Sequence, residues 1–452
     1  MIKNTMTREE RIQYALSLAS DTKVFRMGRG VAAEAPKVFS ECFPGKEALI
    51  VADIHTWPAL GEKVYGLFSK AGVPVHRHVI MEEEFHAEWK YVELVDSLLD
   101  SHPGAVLVSV GSGVINDLCK LSSHHHEQSY LTLPTAASVD GYSSFGASIT
   151  FEGAKQTFSC PAPVAILADI DVIAAAPAWM SAAGYADLAA KVPAGAEWMV
   201  ADFVGTAPLH PQAWPVLQDY LDDFLAHPAQ VAAGDPDAIA DVFEGLTLSG
   251  IAMQIARSSR PASCCDHLFS HILDMTAHRY KGKLQSHGFQ VAIGTLTMCA
   301  VFDQLFKQDL SALDVDACVA AWPSLEEEQQ RALRIFEGFP APRLGYDEIT
   351  KKYQPAQEVR TQLEKLKAEW PQFKARLQGQ VYSYEKMKAL LKASGAPYEP
   401  EQIGVSRQQL HDMFAKVQLM RFRFNVLDLA KRGGFYDAIV EPLFAPDGPF
   451  AL

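Results

Sequence analysis

Apolar, β-branched runs alternate with helix-like segments in the first third of this chain, and this alternation limits the folds that it can adopt. Parallel strands need a helical crossover between them, so the pattern predicts a parallel sheet with helices on both faces. The predicted strands are 47–53, 73–80, 105–110 and 129–134, and the predicted helices are 58–70, 86–101 and 114–123. A Thr7–Glu10 capping box predicts another helix ahead of the sheet, and a hairpin is expected around Glu152 before the strand-like run VAILADI.

A glycine turn joins one of these strands to the helix after it. Gly111-Ser112-Gly113 follows the apolar run 105–110 and precedes a helical pattern. Such a turn lets backbone N–H groups approach a pyrophosphate at a helix N-terminus, where the helix dipole favours an anion. The third glycine of the usual dinucleotide fingerprint is missing, because Asn116 stands in its place. From the residues alone, a nucleotide site and a simple tight turn both fit this motif.

An acidic residue at the end of an earlier strand also fits a nucleotide. Asp53 ends the run EALIVAD, where a carboxylate can bind a ribose and repel a 2′-phosphate, which favours NAD over NADP. Thr56 and Pro58 indicate a helix start just beyond it, so Asp53 could equally be a helix cap.

The segment PTAASVDGYSS, residues 134–144, has the composition of a functional loop at the carboxyl end of a strand. Its hydroxyls and its carboxylate could face a polyol or the nicotinamide. These side chains are Thr135, Ser138, Asp140 and Ser144. The alternative is an ordinary turn at Asp140-Gly141.

Long helical patterns replace the alternation from about residue 183 onward, with few β-branched runs. We therefore predict two domains. Residues 1–183 would form an α/β domain that binds NAD, and residues 184–452 would form a helical domain that binds metal and substrate.

Three histidines in the second part could bind a divalent metal together with Asp187, which lies in AGYADLAAK. His267 and His271 are four residues apart, so in a helix both rings leave the same face, and His287 follows in SHG. One carboxylate with two or three imidazoles suits zinc, and nickel or ferrous iron almost as well. The spacing H-x-x-x-H also occurs by chance on helices, and Leu268 stands where zincins have Glu.

Two other clusters of cysteines or histidines could be taken for metal sites, but we do not predict a metal at either. Adjacent cysteines, here Cys264 and Cys265, rarely reach one ion. The run His124-His125-His126 follows a predicted helix end, where imidazoles suit the dipole or the solvent.

Taken in order, GSGVINDL, PTAASVDGYSS, AILADIDVI with AGYADLAAK, DHLFSH and SHG resemble the sn-glycerol-1-phosphate dehydrogenase family. This family belongs to the iron-containing alcohol dehydrogenase and dehydroquinate synthase-like superfamily. The likeness runs from Asp53 to His287 and returns in GAPYEPEQIGVS and RFRFNVLDLAKRGG. It implies a dehydroquinate synthase-like fold, in which a Rossmann-like parallel-sheet domain is followed by an all-α domain.

The resemblance also implies roles for particular residues. Asp187, His267 and His287 would bind the catalytic metal, and His271 and Asp140 would face the substrate. The implied cofactor contacts are Asp53, Gly111, Ser112, Gly113, Val114, Ile115, Thr135, Ser138 and Ser144.

Three departures from the family pattern lie close to these positions. Ala186 replaces a glycine, Ala137 replaces a proline, and Cys265-Asp266 replaces a Ser-Glu pair. None of them removes a ligand, so they bear on the substrate more than on the chemistry.

The expected activity is a metal-dependent, NAD-linked interconversion of sn-glycerol 1-phosphate and dihydroxyacetone phosphate. Hydride transfer would occur in the cleft between the two domains, with His271 relaying a proton and Lys155 or Lys191 binding the phosphate. One alternative is a glycerol dehydrogenase-like oxidoreductase that acts on free polyols. Another is a dehydroquinate synthase-like cyclase, which is disfavoured because that branch has Glu at the position of Asp187 and a GHxxGHAxE pattern. A third is a nucleotide-binding protein without catalysis.

Length, charge and cysteine content favour some classes of protein over others. The chain has 452 residues, 48% of them hydrophobic, so it can build more than one core, and its formal net charge of −14 argues against a nucleic-acid partner. Seven cysteines without a C-x-x-C pair fit reduced thiols. The polar N-terminal residues and the lack of a long apolar run favour a cytoplasmic protein that is not inserted in a membrane. A homodimer is expected.

Overall fold

The computed structural model describes residues 6–152 and 154–452 and divides the chain into two compact units. The sheet unit comprises Met1–Leu188, Pro211–Pro261 and Ala393–Ala396. The helical unit comprises Ala189–His210, Ala262–Lys392 and Pro397–Leu452. Residues 211–261 thus pack with the sheet, although they follow the change of pattern near residue 183. The functional division of the chain at that residue stays a prediction.

Six parallel strands form the sheet, in the order β1-β8-β5-β4-β2-β3. The strands of the chain are β1 Val24–Gly28, β2 Glu47–Asp53, β3 Val75–Ile80, β4 Ala105–Gly111, β5 Leu131–Pro134, β6 Ala147–Phe151, β7 Ala154–Phe158, β8 Ala165–Asp169, β9 Arg279–Tyr280 and β10 Lys283–Leu284. The predicted parallel sheet is confirmed, and each strand predicted for it lies within two residues of its expected bounds. Strand β1 was not predicted, because its five residues include Arg26 and Gly28 and show no apolar run.

The helices of the first half are α1 Arg8–Leu18, α2 Ala35–Cys42, α3 Glu62–Lys70, α4 Trp89–Ser101, α5 Gly113–His125, α6 Ile170–Ala174, α7 Ala178–Ala189, α8 Lys191–Phe203, α9 Ala213–Leu217, α10 Leu221–Phe224, α11 Pro228–Ala232 and α12 Pro236–Ala256. A π-helical turn, Trp57–Gly61, precedes α3. The predicted capping box at the start of α1 is present.

Side chains of the strands alternate between two cores. On β2, Ile50 packs with residues of α2 and α3, whereas Leu49 and Val51 pack with residues of α4 and α5 on the opposite face. This alternation follows from the two-residue period of a strand. It explains why strands covered on both faces are apolar throughout.

Helix α12 is a core element of the sheet unit. It is long and apolar enough to cross a membrane by those two criteria alone, yet 89% of its apolar window is buried inside the protein. Its fully buried Glu244 forms ion pairs with Arg8 and Arg11 of α1 at 2.9 Å each. Its Gln254 donates to the hydroxyl of Thr22 at 2.9 Å. The sheet unit therefore depends on a helix that begins 67 residues after its last strand, since β8 ends at Asp169 and α12 begins at Pro236.

The antiparallel pair β6 and β7 forms the predicted hairpin around Glu152. Gly153, which would complete this turn, and the side chain of Lys155 lie outside the described part of the chain.

The second half is helical, as predicted, apart from the short hairpin of β9 and β10. Its helices are α13 Cys265–Met275, α14 His287–Leu305, α15 Val315–Ala320, α16 Leu325–Ile335, α17 Leu344–Lys352, α18 Ala356–Gln378, α19 Tyr384–Ser394, α20 Arg407–Leu419, α21 Val426–Arg432 and α22 Tyr436–Val440. Within the helical unit, α13 and α14 pack directly against each other.

Candidate metal and nucleotide site

The glycine turn connects β4 directly to α5. A Cβ atom at Gly111 would lie 2.6 Å from the Cβ of Ile115, and one at Gly113 would lie 3.1 Å from Val139. Ser112 is the N-cap residue, but its side chain makes no capping hydrogen bond. The predicted strand, glycine turn and helix are thus present. The bare backbone at the start of a 13-residue helix is suited to binding an anion.

The loop after β5 is fastened to α5 by two buried side chains that lie four residues apart. The Asn116 amide donates to the carbonyl of Gly141 at 3.2 Å and accepts the hydroxyl of Tyr130 at 2.9 Å. The Lys120 ammonium, 1% exposed, donates to the carbonyls of Gly141, Ser144 and Gly146 at 2.7, 2.9 and 3.0 Å. Asn116 therefore has a structural role at the position where the usual dinucleotide fingerprint has its third glycine. Lys120 was not among the predicted site residues, although a lysine one turn after Asn116 falls on the same helix face.

Asp140 lies in this loop, beside Asp187 of α7. The Asp140 backbone N–H donates to Oδ2 of Asp187 at 3.0 Å, and the Asp140 carboxylate accepts the hydroxyl of Ser249 at 3.0 Å. Asp187 itself is 0% exposed. A buried carboxylate with one oxygen held by a backbone amide has its second oxygen oriented for another partner.

A glycine on α7 permits this approach. A Cβ atom at Gly184 would lie 2.0 Å from the carbonyl oxygen of Ala137, so no side chain fits there. Asp187 follows one turn later on the same helix face. The small residue therefore brings the carboxylate to the loop.

The three predicted hydroxyl residues of the loop are all buried. The Thr135 N–H donates to the carbonyl of Gly111 at 3.1 Å, which places the loop beside the glycine turn. Ser138 contacts the hydroxyl of Tyr142 at 3.4 Å, and Ser144 donates to Gly141 at 3.4 Å. Their cofactor contacts stay predictions.

Asp53 holds the turn that follows its strand. Its Oδ1 accepts the backbone N–H groups of His55 and Thr56 at 2.8 Å each, and the N-cap residue of the next helical turn is Thr56. This role is compatible with a ribose contact, because a carboxylate has a second oxygen. The role of Asp53 in nucleotide choice stays a prediction.

Two histidines of the helical unit have their Nδ1 atoms engaged. His267, on α13, bonds through Nδ1 to the carboxylate of Asp266. His287, the first residue of α14, bonds through Nδ1 to Ser270 Oγ at 3.1 Å, and this hydroxyl donates to Gln290 Oε1 at 2.7 Å. A carboxylate only accepts, and a hydroxyl that donates elsewhere is left to accept. Both imidazoles are therefore held with the lone pair on Nε2, the form that binds a metal.

Close packing of α13 and α14 sets the distance between these rings. A Cβ atom at Gly294 would lie 2.0 Å from the carbonyl oxygen of Asp266, so the two helices touch at their backbones. The ring centroids of His267 and His287 are 5.3 Å apart.

Two of the three ligands that the resemblance implied, His267 and His287, thus lie side by side in the helical unit. The third, Asp187, belongs to the sheet unit. His271 is half-buried one turn along α13. The assignment of these residues to a metal stays a prediction, taken up below.

Glu197 lies beside the adjacent cysteines Cys264 and Cys265. One carboxylate oxygen and the two sulfur atoms are within 4.8 Å of one another. The two oxygens of Glu197 accept the backbone N–H groups of Cys265 and Val426, at 2.9 and 3.2 Å. Burial raises the pKa of the Glu197 carboxyl, and burial likewise raises the pKa of the Cys265 thiol. This carboxylate thus holds the first turns of α13 and α21, which explains its burial without an ion.

The histidine run at the end of α5 pairs with acidic residues of α4. His125 Nδ1 lies 2.9 Å from Asp96, and His126 Nε2 lies 3.2 Å from Asp100.

The chain is similar in sequence and in fold to alcohol and polyol dehydrogenases. Residues 26–177 match the family described as iron-containing alcohol dehydrogenase. The fold is similar to that of a probable glycerol dehydrogenase from Sinorhizobium meliloti 1021, with a TM-score of 0.58 and 16% identity over 93% of this chain and 98% of that chain. The fold is therefore that of the iron-containing alcohol dehydrogenases.

Sequence relatives narrow the class. The glycerol-1-phosphate dehydrogenase [NAD(P)+] of Pyrococcus furiosus is 31% identical over 284 residues, which are 60% of this chain and 76% of that protein. The protein of the same name from Halalkalibacterium halodurans is 29% identical over 302 residues, 64% of this chain and 73% of that protein. The chain belongs to the glycerol-1-phosphate dehydrogenase family.

Proposed function

We propose that this protein is a metal-dependent NAD(P)H oxidoreductase that interconverts sn-glycerol 1-phosphate and dihydroxyacetone phosphate. The observation that carries the proposal is the pair His267 and His287, whose Nδ1 atoms are both engaged so that both Nε2 atoms can bind a metal. The names of the relatives support the substrate and the nucleotide.

Asp187 completes the ligand set. Two neutral imidazoles and one carboxylate leave a divalent ion with net positive charge and with positions for a substrate, and zinc fits this set best. Such an ion would act as a Lewis acid on the substrate carbonyl, stabilising the negative charge that develops on its oxygen.

Other side chains hold the ligands and move protons. Asp266 and Ser270 fix the rings of His267 and His287, and the Asp140 amide holds Asp187. His271, one turn from His267, is assigned the proton transfer to the substrate oxygen, because an imidazole titrates near neutral pH.

The turn from Gly111 to Ile115 is assigned to the nucleotide pyrophosphate, with the hydroxyls of Thr135, Ser138 and Ser144 close to the same loop. The remaining oxygen of Asp53 is assigned to the ribose, which favours NAD over NADP. Equal turnover with NADH and NADPH would remove Asp53 from that role.

The substrate phosphate needs a cation in this acidic protein. Lys191, buried at the start of α8, is the candidate whose side chain is described, and Lys155 is the other. We further propose a cytoplasmic homodimer, on the resemblance alone.

The experiment is to load the purified full-length chain with Zn²⁺ and to follow NADH with dihydroxyacetone phosphate. We expect net NADH oxidation, and a product that sn-glycerol-3-phosphate dehydrogenase does not oxidise. Faster turnover of unphosphorylated dihydroxyacetone would instead indicate a polyol dehydrogenase. Unchanged NADH with both substrates would indicate a cyclase or a binding protein.

A further inference from the structure

Arg432, the last residue of α21 in the helical unit, is a buried cation with incomplete partners. It is 3% exposed, and its Nη1 donates to the amide oxygens of Gln354, at 2.7 Å, and Gln362. Its Nε is buried and has no hydrogen-bond partner among the described residues. Among the described residues, no carboxylate forms an ion pair with this guanidinium. A buried charge is normally paired, because desolvation without a counter-charge is costly.

The nearby carboxylates are already engaged by other cations. Asp428 forms an ion pair with Lys352 at 2.8 Å. Glu328 forms ion pairs with Lys431 at 2.8 Å and with Arg331 at 3.1 Å. Three cations therefore surround two carboxylates before Arg432 is counted, and the cluster carries surplus positive charge.

An aromatic ring offsets this surplus only in part. The guanidinium carbon lies 4.5 Å from the centroid of Phe424. A contact of this kind contributes about 0.5–2 kcal/mol and supplies no counter-charge. Burial lowers the pKa of Arg432 to about 10, and burial also lowers the pKa of Lys431.

A small cavity opens among these groups. Three cations and two carboxylates line it together with uncharged side chains: Arg432, Lys352, Lys431, Glu328, Asp428, Trp322, Ile349, Tyr353 and Gln418. The free space holds about one particle of the size of water. A phosphate or a carboxylate metabolite is too large for it, and surplus positive charge excludes a metal cation.

We propose that this cavity binds a small inorganic monoanion of the size of chloride, which accepts a hydrogen bond from Arg432 Nε. The anion neutralises the cluster, whose charged side chains lie on α16, α17 and α21. The site is in the helical unit alone and does not depend on the proposed catalytic function.

Thermal unfolding of the full-length, metal-loaded protein tests the site, with sodium chloride compared with sodium gluconate at equal concentrations. Chloride and bromide should raise Tm in a saturable way, because a ligand bound only to the folded state stabilises it, whereas gluconate is too large to enter. Arg432→Met should lose this increment. Its Tm in gluconate should equal or exceed that of the wild type, since it removes an unpaired buried charge. Arg376→Met, at an exposed arginine of α18, should keep the increment.

An equal rise of Tm in sodium chloride and in sodium gluconate would be an effect of ionic strength and would overturn the proposal. A rise of Tm with chloride in Arg432→Met as large as in the wild type would overturn it too. Crystals grown in bromide provide a second measurement that needs no variant. We expect an anomalous peak within hydrogen-bond distance of Arg432 Nε, and a water molecule there would overturn the site.

Discussion

His267 and His287 are oriented by different residues, a carboxylate for one and a hydroxyl for the other. This difference allows the proposed ligands and the residues that support them to be tested separately. The ligands should be indispensable, whereas loss of a support should weaken the metal site without abolishing it.

The first prediction concerns the ligands. Asp187→Ala and His287→Ala should lose both the bound metal and turnover, because two donors cannot hold the ion tightly. His271→Ala should keep the metal and lose turnover, which metal analysis alongside kcat would show. A metal-free His271→Ala beside a metal-loaded His267→Ala would reverse our assignment of these two histidines.

The second prediction concerns Ser270. Ser270→Ala removes the hydroxyl between His287 and Gln290, so the ring is free to turn and metal affinity should fall by roughly 10–100-fold. Thr297→Val is the matched control, because the Thr297 hydroxyl donates within α14 to Ile293 at 2.7 Å. A competition titration with a chelator measures both. Equal affinity in Ser270→Ala and the wild type would contradict the support role.

Residue-level features differed in how far they could be predicted. Asp53 and Asp140 follow strands, so their place at the carboxyl edge of the sheet follows from the pattern. The hydrogen bonds of Lys120 could not be predicted, because they depend on how the loop folds back over α5. A lysine in a helical pattern is usually solvated.

Among the elements, α7 and the loop after β5 are joined by backbone contact, and a third prediction follows. Gly184→Ala places a Cβ 2.0 Å from the Ala137 carbonyl, so the helix must move away and Tm and activity should both fall. Gly66→Ala, in an exposed part of α3 with nothing within 4 Å, should instead raise stability by about 1 kcal/mol. Denaturant unfolding compares the two, and a tolerated Gly184→Ala would contradict the close approach.

The fourth prediction concerns the loop that Lys120 holds. Lys120→Met removes the donor from the carbonyls of Ser144 and Gly146, whereas the Gly141 carbonyl still accepts from Asn116. Each buried group left unsatisfied costs about 1–3 kcal/mol. We expect a lower Tm and a KM for NADH at least tenfold higher, roughly 1.4 kcal/mol in binding. Lys37→Met, at a lysine whose side chain is 78% exposed, is the control. A lower Tm with unchanged KM would make Lys120 a stability residue only.

Elements of the sheet were predictable because their apolar runs and crossover helices repeat a simple pattern. The exception is β1, whose Arg26 interrupts that pattern. Its place beside β8 depends on long-range parallel pairing that local sequence does not encode.

At the scale of the whole molecule, the chain enters the sheet unit more than once. Residues 211–261 return to it after α8 and supply α12. Local patterns could show where strands give way to helices, but not which helices pack with the strands. That depends on contacts across the chain, such as those of Glu244 with Arg8 and Arg11.

The fifth prediction follows from this arrangement. A fragment of residues 1–183 lacks α12, so its core is open and the cationic partners of Glu244 are unpaired. It should show no cooperative unfolding by circular dichroism, whereas the full chain should. Co-expression with residues 205–262 should restore a folded complex. A fragment 1–183 that unfolds cooperatively alone would show that α12 is dispensable.

The interleaved chain also bears on how new dehydrogenases could be assembled by recombination. A chimera that takes residues 1–183 from one parent through a single crossover would separate α12 from the rest of the sheet unit with which it packs. Such chimeras should fold only when residues 1–183 and the segment that contains α12 come from the same parent protein.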